Sequence, residues 1–181
     1  MKVQVFTISL LVVMAVVLSG CQVVFTNLPA GKPKEDKALH GRWSSEEKGK
    51  EAMTVQFEKG QRGEPNISFL PAKPGEKNPV FTAKLFGVGV YSYMALSPAD
   101  EDRDKYFLIV RYEISGDELT VWIPNSDKVA ALIKQKKISG EAGSYGASVT
   151  ESADGVSRFL QSKEGQDAFE VFGKFRKVKT R

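Results

Sequence analysis

The 181-residue chain contains one cysteine, Cys21, and one histidine, His40. A single cysteine excludes an internal disulfide, so in an oxidising compartment the hydrophobic core alone must hold the fold. Zinc sites use several Cys and His ligands, which this chain does not have. A Ser-His-Asp triad needs a histidine that the fold holds in place, and His40 follows a segment without regular alternation. The sequence therefore predicts no metal, no cofactor and no catalytic residue.

Long apolar runs are also scarce, and the one present is at the N-terminus. Lys2 supplies a positive start, Leu10–Leu18 is unbroken and apolar, and the small residues Ser19 and Gly20 precede Cys21. This is the layout of an export signal. The apolar segment is short for a membrane span, which needs about 20 residues. A retained membrane helix is the alternative.

The tetrapeptide Leu18-Ser19-Gly20-Cys21 resembles the lipobox of bacterial lipoproteins. The resemblance implies cleavage of a signal peptide over 1–20, a diacylglycerol on the Cys21 sulfur and an acyl chain on its amino group. Several chains on one residue give lasting membrane attachment, since a single chain binds only marginally. Gln22 stands where an Asp commonly signals inner-membrane retention. The resemblance therefore favours a lipid-anchored protein of the bacterial envelope, on the outer membrane facing the periplasm.

A basic excess is confined to the end of the chain. Overall there are 26 basic and 22 acidic residues, and the excess disappears when the last eight positions are left out. The cluster is either a solvated end or a contact with anionic lipid head groups, worth about 1 kcal/mol per residue near the surface. The cluster is not interleaved with a stacking platform of aromatic residues, and an envelope compartment is the wrong place for nucleic acid, so a nucleic-acid partner is not expected. Its members are Lys174, Arg176, Lys177, Lys179 and Arg181.

Residues 21–38 are predicted to be the lipidated cysteine and a flexible tether, because Pro29, Gly31 and Pro33 interrupt a charged segment. A single α+β domain is predicted over 39–181. Short segments with apolar alternation, such as Met53 to Glu58, indicate strands. The segment 106–110 is apolar throughout and indicates a central strand.

Two helices are predicted before the last strand. Asn125 or Ser126 caps the first, which runs to about Lys136, and Ser152 caps the second. The apolar stripe of the first helix contains Val129, Leu132 and Ile133, and that of the second contains Val156, Phe159 and Leu160. The predicted fold is a twisted antiparallel sheet or small barrel of about seven to eight strands with two helices.

The tripeptide Gly41-Arg42-Trp43 stands where the first predicted strand begins. A Gly-x-Trp at this place resembles the opening motif of lipocalins, barrels in which the Trp closes the floor and a basic side chain from a late strand lies over it. The resemblance implies these roles for Trp43 and Arg176. Two helices before the last strand depart from the family, which has one helix after its barrel. Small barrels hold one ligand or are filled by side chains.

Other aromatic residues are candidates for a binding surface. Tyr91 and Tyr93 share one face of their strand, and Trp122 lies opposite the aliphatic residues of its own strand. These faces are either covered by the helices, which must pack somewhere, or presented to a partner. The predicted ligand-binding residues are Trp43, Tyr91, Tyr93 and Trp122.

Two motif-like segments do not support an activity. Asp100–Asp104 begins like a calcium loop, but Lys105 and Arg111 occupy the places of the required Gly and bidentate Glu. The Ser-x-x-Lys of penicillin-binding enzymes is matched at 45–48, beside a strand and not at the start of a buried helix. The acidic segment Asp100–Asp104 is a candidate protruding loop for inhibiting a wall-degrading enzyme.

Three functions remain open from the sequence. The favoured one is a non-catalytic envelope lipoprotein that binds a protein partner or supports assembly. The alternative is a lipocalin-like carrier of a small apolar ligand, which an empty apolar cavity of about 300 Å³ or more would favour. The third is a carboxylate-based hydrolase, whose acids would look like surface residues in the sequence.

Overall fold

A computed structural model describes residues 22–45, 52–60, 64–70, 80–99, 106–144 and 146–179. The predictions for Cys21, Asp100–Asp104, Arg181 and most of the Ser-x-x-Lys segment lie outside these residues. The strands are β1 (Gln22–Phe25), β2 (Gly41–Ser45), β3 (Thr54–Lys59), β4 (Pro65–Leu70), β5 (Val80–Val88), β6 (Tyr91–Pro98), β7 (Leu108–Ser115), β8 (Glu118–Pro124), β9 (Gly140–Gly143), β10 (Gly146–Val149) and β11 (Phe169–Lys177). The helices are α1 (Ser126–Lys134), α2 (Ala153–Gln161) and α3 (Lys163–Asp167), with a 3-10 turn at Lys37–Leu39.

Eight strands form a closed antiparallel barrel in the order β11-β2-β3-β4-β5-β6-β7-β8. The sequence prediction of an α+β fold with a small barrel and two helices is confirmed, and α3 is a third, five-residue helix. Consecutive strands pair from β2 to β8, and β11 closes the ring between β8 and β2. Closure leaves this sheet without a free edge.

The barrel has two ends, because its strands run alternately up and down. The end that contains the start of β2, the turns Gly89–Val90 and Gly116–Asp117, and the end of β11 at Lys177 is called the floor end. The opposite end, at which β4, β6 and β8 finish, is called the mouth end.

A second layer packs on the outside of the barrel. The three-stranded sheet β1-β10-β9 and the helices bury an apolar cluster against the outer face of β5, β6 and β7. Both faces of residues 107–110 are covered, which explains why this segment is apolar throughout. Phe107 and Ile109 belong to the outer cluster, and Leu108 and Val110 to the barrel interior.

Both predicted helix caps are present. The Asn125 side chain accepts a hydrogen bond from the Lys128 backbone N–H at 3.0 Å, and Ser152 accepts one from Gly155 at 3.2 Å. Val129 in α1 and Val156, Phe159 and Leu160 in α2 are buried, as the stripes predicted. No helix of the described residues is both long and apolar enough to cross a membrane.

The structure corrects the prediction of a flexible tether over 21–38, because part of this segment belongs to the fold. Residues 22–25 form β1, which pairs in parallel with β10, and Val23 and Phe25 are 1% and 0% exposed. Further along, the Lys34 backbone N–H donates to the Leu85 carbonyl oxygen at 2.7 Å. The sequence alone did not indicate β1, because the Pro- and Lys-rich segment that follows it is typical of a flexible tether. The folded domain therefore includes Gln22.

Candidate functional site

The floor of the barrel is built around Trp43. The side chain is fully buried, and its Nε1 donates a hydrogen bond of 2.7 Å to the Leu39 carbonyl oxygen. Leu39 ends the 3-10 turn, which Asp36 caps by accepting a hydrogen bond from the Ala38 N–H. The turn thus lies at the floor end, where its last carbonyl oxygen holds the Trp43 indole.

Lys177, and not Arg176, is the basic residue over Trp43. Its Nζ lies 5.1 Å from the centre of the Trp43 rings and donates to the Ala38 carbonyl oxygen at 2.9 Å. Lys177 is paired with Trp43 across β11 and β2, whereas Arg176 is paired with Ser44. Neighbouring residues of a strand face opposite sides, so the side chain of Arg176 faces the outside. The sequence prediction for Arg176 is therefore wrong by one residue.

A buried tyrosine ties the chain before β2 to the barrel interior. The Tyr112 hydroxyl donates to Asp36 Oδ2 at 2.9 Å, and the Tyr112 side chain is 3% exposed. Burial raises the pKa of Tyr112 well above its usual value, and the nearby Asp36 carboxylate raises it further. The hydroxyl therefore stays protonated and keeps donating at physiological pH.

Burial inside the barrel changes from one end to the other. Near the floor most of the interior is filled, with Trp43, Leu85, Leu119 and Phe175 each at most 2% exposed. Ile114 at this end and Val121 in the middle of β8 are partly buried. Near the mouth, six apolar side chains that belong to the same inner cluster are only partly buried. These six side chains, called the mouth ring, are Met53, Phe69, Phe81, Leu96, Leu108 and Ile123.

Each member of the mouth ring lies within two residues of the mouth end of its strand. Phe69 and Phe81 form an edge-to-face pair with ring centres 6.0 Å apart. The ring contains aliphatic and aromatic side chains and no charged one. Its chemistry suits an apolar molecule, or the apolar end of a larger one.

Tyr93 lies outside the barrel and is covered by the second layer. It is 0% exposed, and its hydroxyl donates to the Leu160 carbonyl oxygen at 3.0 Å and accepts from Gln166 Nε2 at 2.7 Å. Its ring packs edge-on against Phe169 at 5.9 Å, and burial raises its pKa. Tyr93 is therefore a core residue between the two layers.

Tyr91 and Trp122 lie beside Tyr93 on the outer face, on either side of Arg111. The Arg111 guanidinium is 5.2 Å from the ring centre of Tyr91 and 4.3 Å from that of Trp122, and it donates to Gln166 Oε1. Beyond Trp122 on β11, Val171 and Phe172 are 57% and 41% exposed. These residues form an apolar surface around one cation, called the outer patch.

The four predicted ligand-binding residues do not form one site. Trp43 closes the barrel floor from inside, Tyr93 is buried between the layers, and Tyr91 and Trp122 belong to the outer patch. Sequence reasoning missed the role of Arg111 between two aromatic rings, the position of Lys177 over Trp43, and the mouth ring. The signal for the ring was present, because its members are the inward-facing residues nearest the mouth end of β3 to β8.

The C-terminal basic residues that the structure describes have partners within the fold. Lys174 pairs with Glu118 at 3.0 Å and Lys179 with Asp117 at 3.6 Å, while Lys177 turns onto Trp43. Lys174 lowers the pKa of the exposed Glu118 carboxyl by hydrogen bonding and charge. These residues lie at or near the floor end, so contact with a membrane surface there stays a prediction.

Two open depressions lie outside the barrel, in the second layer. The first, of about 370 Å³, is lined by residues 26–31 with Phe107 and Ala153. The second, of about 380 Å³, is lined by Leu132, Lys137, Ile138, Glu151, Gly155, Arg158, Phe159, Ser162 and Glu164. Within the part of the chain that the structure describes, no group of three or more His, Cys, Asp and Glu side chains is arranged to hold a metal ion.

Comparison of the chain with protein-family models, with curated proteins and with solved structures finds no match.

Proposed function

We propose that the protein is a lipid-anchored, non-catalytic barrel of the bacterial envelope that binds a small apolar ligand at its mouth. Anchoring rests on the sequence from Leu18 to Cys21 and on the apolar run before it. The outer membrane, facing the periplasm, is the proposed location. Ligand binding rests on the structure.

The observation that carries the ligand-binding proposal is the gradient of burial along the barrel. A barrel of eight strands has room for filling side chains or for one small ligand. Here the fully buried side chains of the interior concentrate toward the floor, whereas six of the eight partly buried ones lie at the mouth end. Removing apolar surface from water is favourable by about 25 cal/mol per Å². The surface that these six side chains still expose is therefore a source of binding free energy. A ligand that covers them recovers it.

A test compares one phenylalanine of the mouth ring with one on the outside. The mature chain from Gln22 is titrated with a fluorescent apolar probe, 1-N-phenylnaphthylamine. We expect Phe81→Gln to weaken probe binding by about tenfold, which corresponds to 1.4 kcal/mol and to part of the burial of one Phe side chain. Phe172→Gln is the matched control, because Phe172 is 41% exposed on β11 and belongs to neither apolar cluster. Equal weakening by the two variants would contradict the proposal.

Native mass spectrometry of the same chain, purified gently from a bacterial periplasm, gives a second readout. We expect an added mass that denaturation releases and that the Phe81→Gln variant lacks. An added mass that persists in this variant would place the ligand elsewhere.

A second candidate function is binding of an envelope protein through the outer patch. The specific observation is the exposed pair Val171 and Phe172 next to Trp122 and Arg111, since aromatic residues and Arg are enriched where proteins bind one another. This candidate is favoured if the protein carries no added mass and the probe binds both variants equally.

A further inference from the structure

We propose that the floor end of the barrel lies against the membrane surface, with the mouth directed away from it. This inference rests on the proposed lipid anchoring at Cys21 and adds a fixed orientation to it. Three features of the described residues support it: the direction of β1, an exposed apolar turn, and the position of basic side chains.

The direction of β1 sets where the anchor leaves the domain. Phe25 and Phe107 exchange two backbone hydrogen bonds, of 2.8 and 2.9 Å, as an antiparallel pair. Because β7 runs from the mouth end to the floor end, β1 runs in the opposite sense. Phe107 immediately precedes β7 at the mouth end, so Phe25 lies near that end and Gln22 lies on its floor side, about 10 Å further along the strand.

Cys21 is separated from this fixed strand by a single peptide bond, so no flexible tether intervenes. One residue of extended chain spans at most about 3.6 Å. The acyl chains of a lipidated Cys21 must then enter the bilayer close to the edge of the second layer at Gln22. That edge also contains Gly146 and Gly143, which are paired with Gln22 across the sheet.

The turn between β5 and β6 presents an apolar side chain at the floor end. Val90 is 91% exposed, more than any other large apolar residue in the described part of the chain. Tight turns favour Gly, Asn, Asp, Ser and Pro, so a valine at the tip is unusual for a turn that faces water. Val178, at the end of the last strand, is also exposed at this end, at 43%.

Basic side chains lie around the same end. Lys59 ends β3, Lys37 lies in the 3-10 turn, and Arg176 and Lys179 lie at the end of the last strand, all exposed at their positions. Basic side chains reach anionic head groups while apolar neighbours enter the interface. Acidic residues are present at this end as well: Glu58 lies at the end of β3 and Glu64 just before β4. Asp117 and Glu118 are paired with Lys179 and Lys174. The exposed Val90 and the basic side chains around it are the groups that would contact an anionic lipid surface.

The test uses the full lipoprotein in vesicles of phosphatidylethanolamine and phosphatidylglycerol that contain a nitroxide-labelled lipid. Single cysteines are introduced by Val90→Cys at the floor and Tyr106→Cys at the mouth end, and each is labelled with an environment-sensitive fluorophore. Tyr106 is the matched control, because it is also apolar and 58% exposed. The unsubstituted protein shows that the acylated Cys21 sulfur takes no label.

We expect the label at position 90 to be quenched at least threefold more than the label at position 106, with a blue-shifted emission. Introducing Val90→Glu should lower the quenching of a label placed by Val178→Cys. Equal quenching at positions 90 and 106, stronger quenching at 106, or none at either would each overturn the orientation.

Vesicle flotation of the same samples separates the two proposals. The unsubstituted protein should float and a Cys21→Ala variant should not. If the unsubstituted protein does not float, the anchoring fails and the orientation with it. If it floats and the quenching contrast is absent, the orientation alone fails.

Discussion

Lys177 and Arg176 are adjacent in sequence and of the same charge, yet their side chains lie on opposite faces of the barrel wall. The pairing of β11 with β2 places Lys177 across from Trp43, where its ammonium lies over the indole and donates to the Ala38 carbonyl oxygen. A basic residue near the end of the last strand was predictable from the sequence. Which of two neighbours faces inward depends on the strand register, and a shift of one residue reverses it.

Substituting Lys177 should therefore lower the free energy of unfolding more than substituting Arg176. We expect Lys177→Met to lower the free energy of unfolding by about 1–2 kcal/mol, because it removes a cation–π contact and a hydrogen bond that closes the floor. Arg176→Met should cost less than about 0.5 kcal/mol, as is usual for an exposed position. Urea unfolding followed by tryptophan fluorescence measures both. A larger cost for Arg176→Met would mean that the floor does not depend on Lys177.

Buried tyrosines predict a loss of stability at alkaline pH. Burial raises the pKa of Tyr112 and of Tyr93 in the folded protein, whereas an unfolded tyrosine ionises near pH 10. The unfolded state therefore releases these protons first, so stability is full below about pH 10 and falls as pH rises further. We expect Tyr112→Phe to make this fall less steep in urea unfolding between pH 8 and 11. The unsubstituted protein is the reference, and an unchanged slope for Tyr112→Phe would contradict the assignment.

Among the elements, the helices were the easiest to predict and β1 the hardest. The helices carry local signals, namely a capping side chain and an apolar stripe at helical spacing. A four-residue strand has little local signal of its own. The role of β1 depends on β10 and on Phe107, which lie more than 80 residues away along the chain.

Because β1 belongs to the fold, removing it should destabilise the domain. A chain that begins at Leu39 loses Val23 and Phe25 from the outer cluster and leaves the edge of β10 uncovered. Removing a buried Phe side chain alone typically costs about 3–5 kcal/mol. We therefore expect the chain from Leu39 to unfold at a lower urea concentration than the chain from Gln22, by at least 3 kcal/mol at the same slope, or not to fold. Equal stability of the two chains would show that β1 is dispensable.

At the scale of the whole molecule, two apolar cores share the strands β5, β6 and β7. Inward residues such as Leu85 and Met94 fill the barrel, and outward residues such as Phe86 and Tyr93 pack against the second layer. The second layer covers one side of the barrel, and the mouth-ring side chains are only partly buried. The proposed ligand at the mouth and the proposed membrane contact at the floor thus lie at opposite ends, and the two bindings do not compete for surface.

The sequence by itself determined the short-range features of this protein. The alternation of apolar residues specified strands, and the polar caps specified α1 and α2. The anchor at Cys21 and the lipocalin-like role of Trp43 stay predictions from the resemblances of Leu18 to Cys21 and of Gly41-Arg42-Trp43. These signals depend on residues a few positions apart, where backbone geometry is regular. The tertiary structure alone decided that β1 belongs to the fold, that Lys177 faces Trp43, and that the mouth ring forms a surface. Each of these depends on register and closure, which bring together residues that are distant in the chain and follow from the balance of all strand pairings at once.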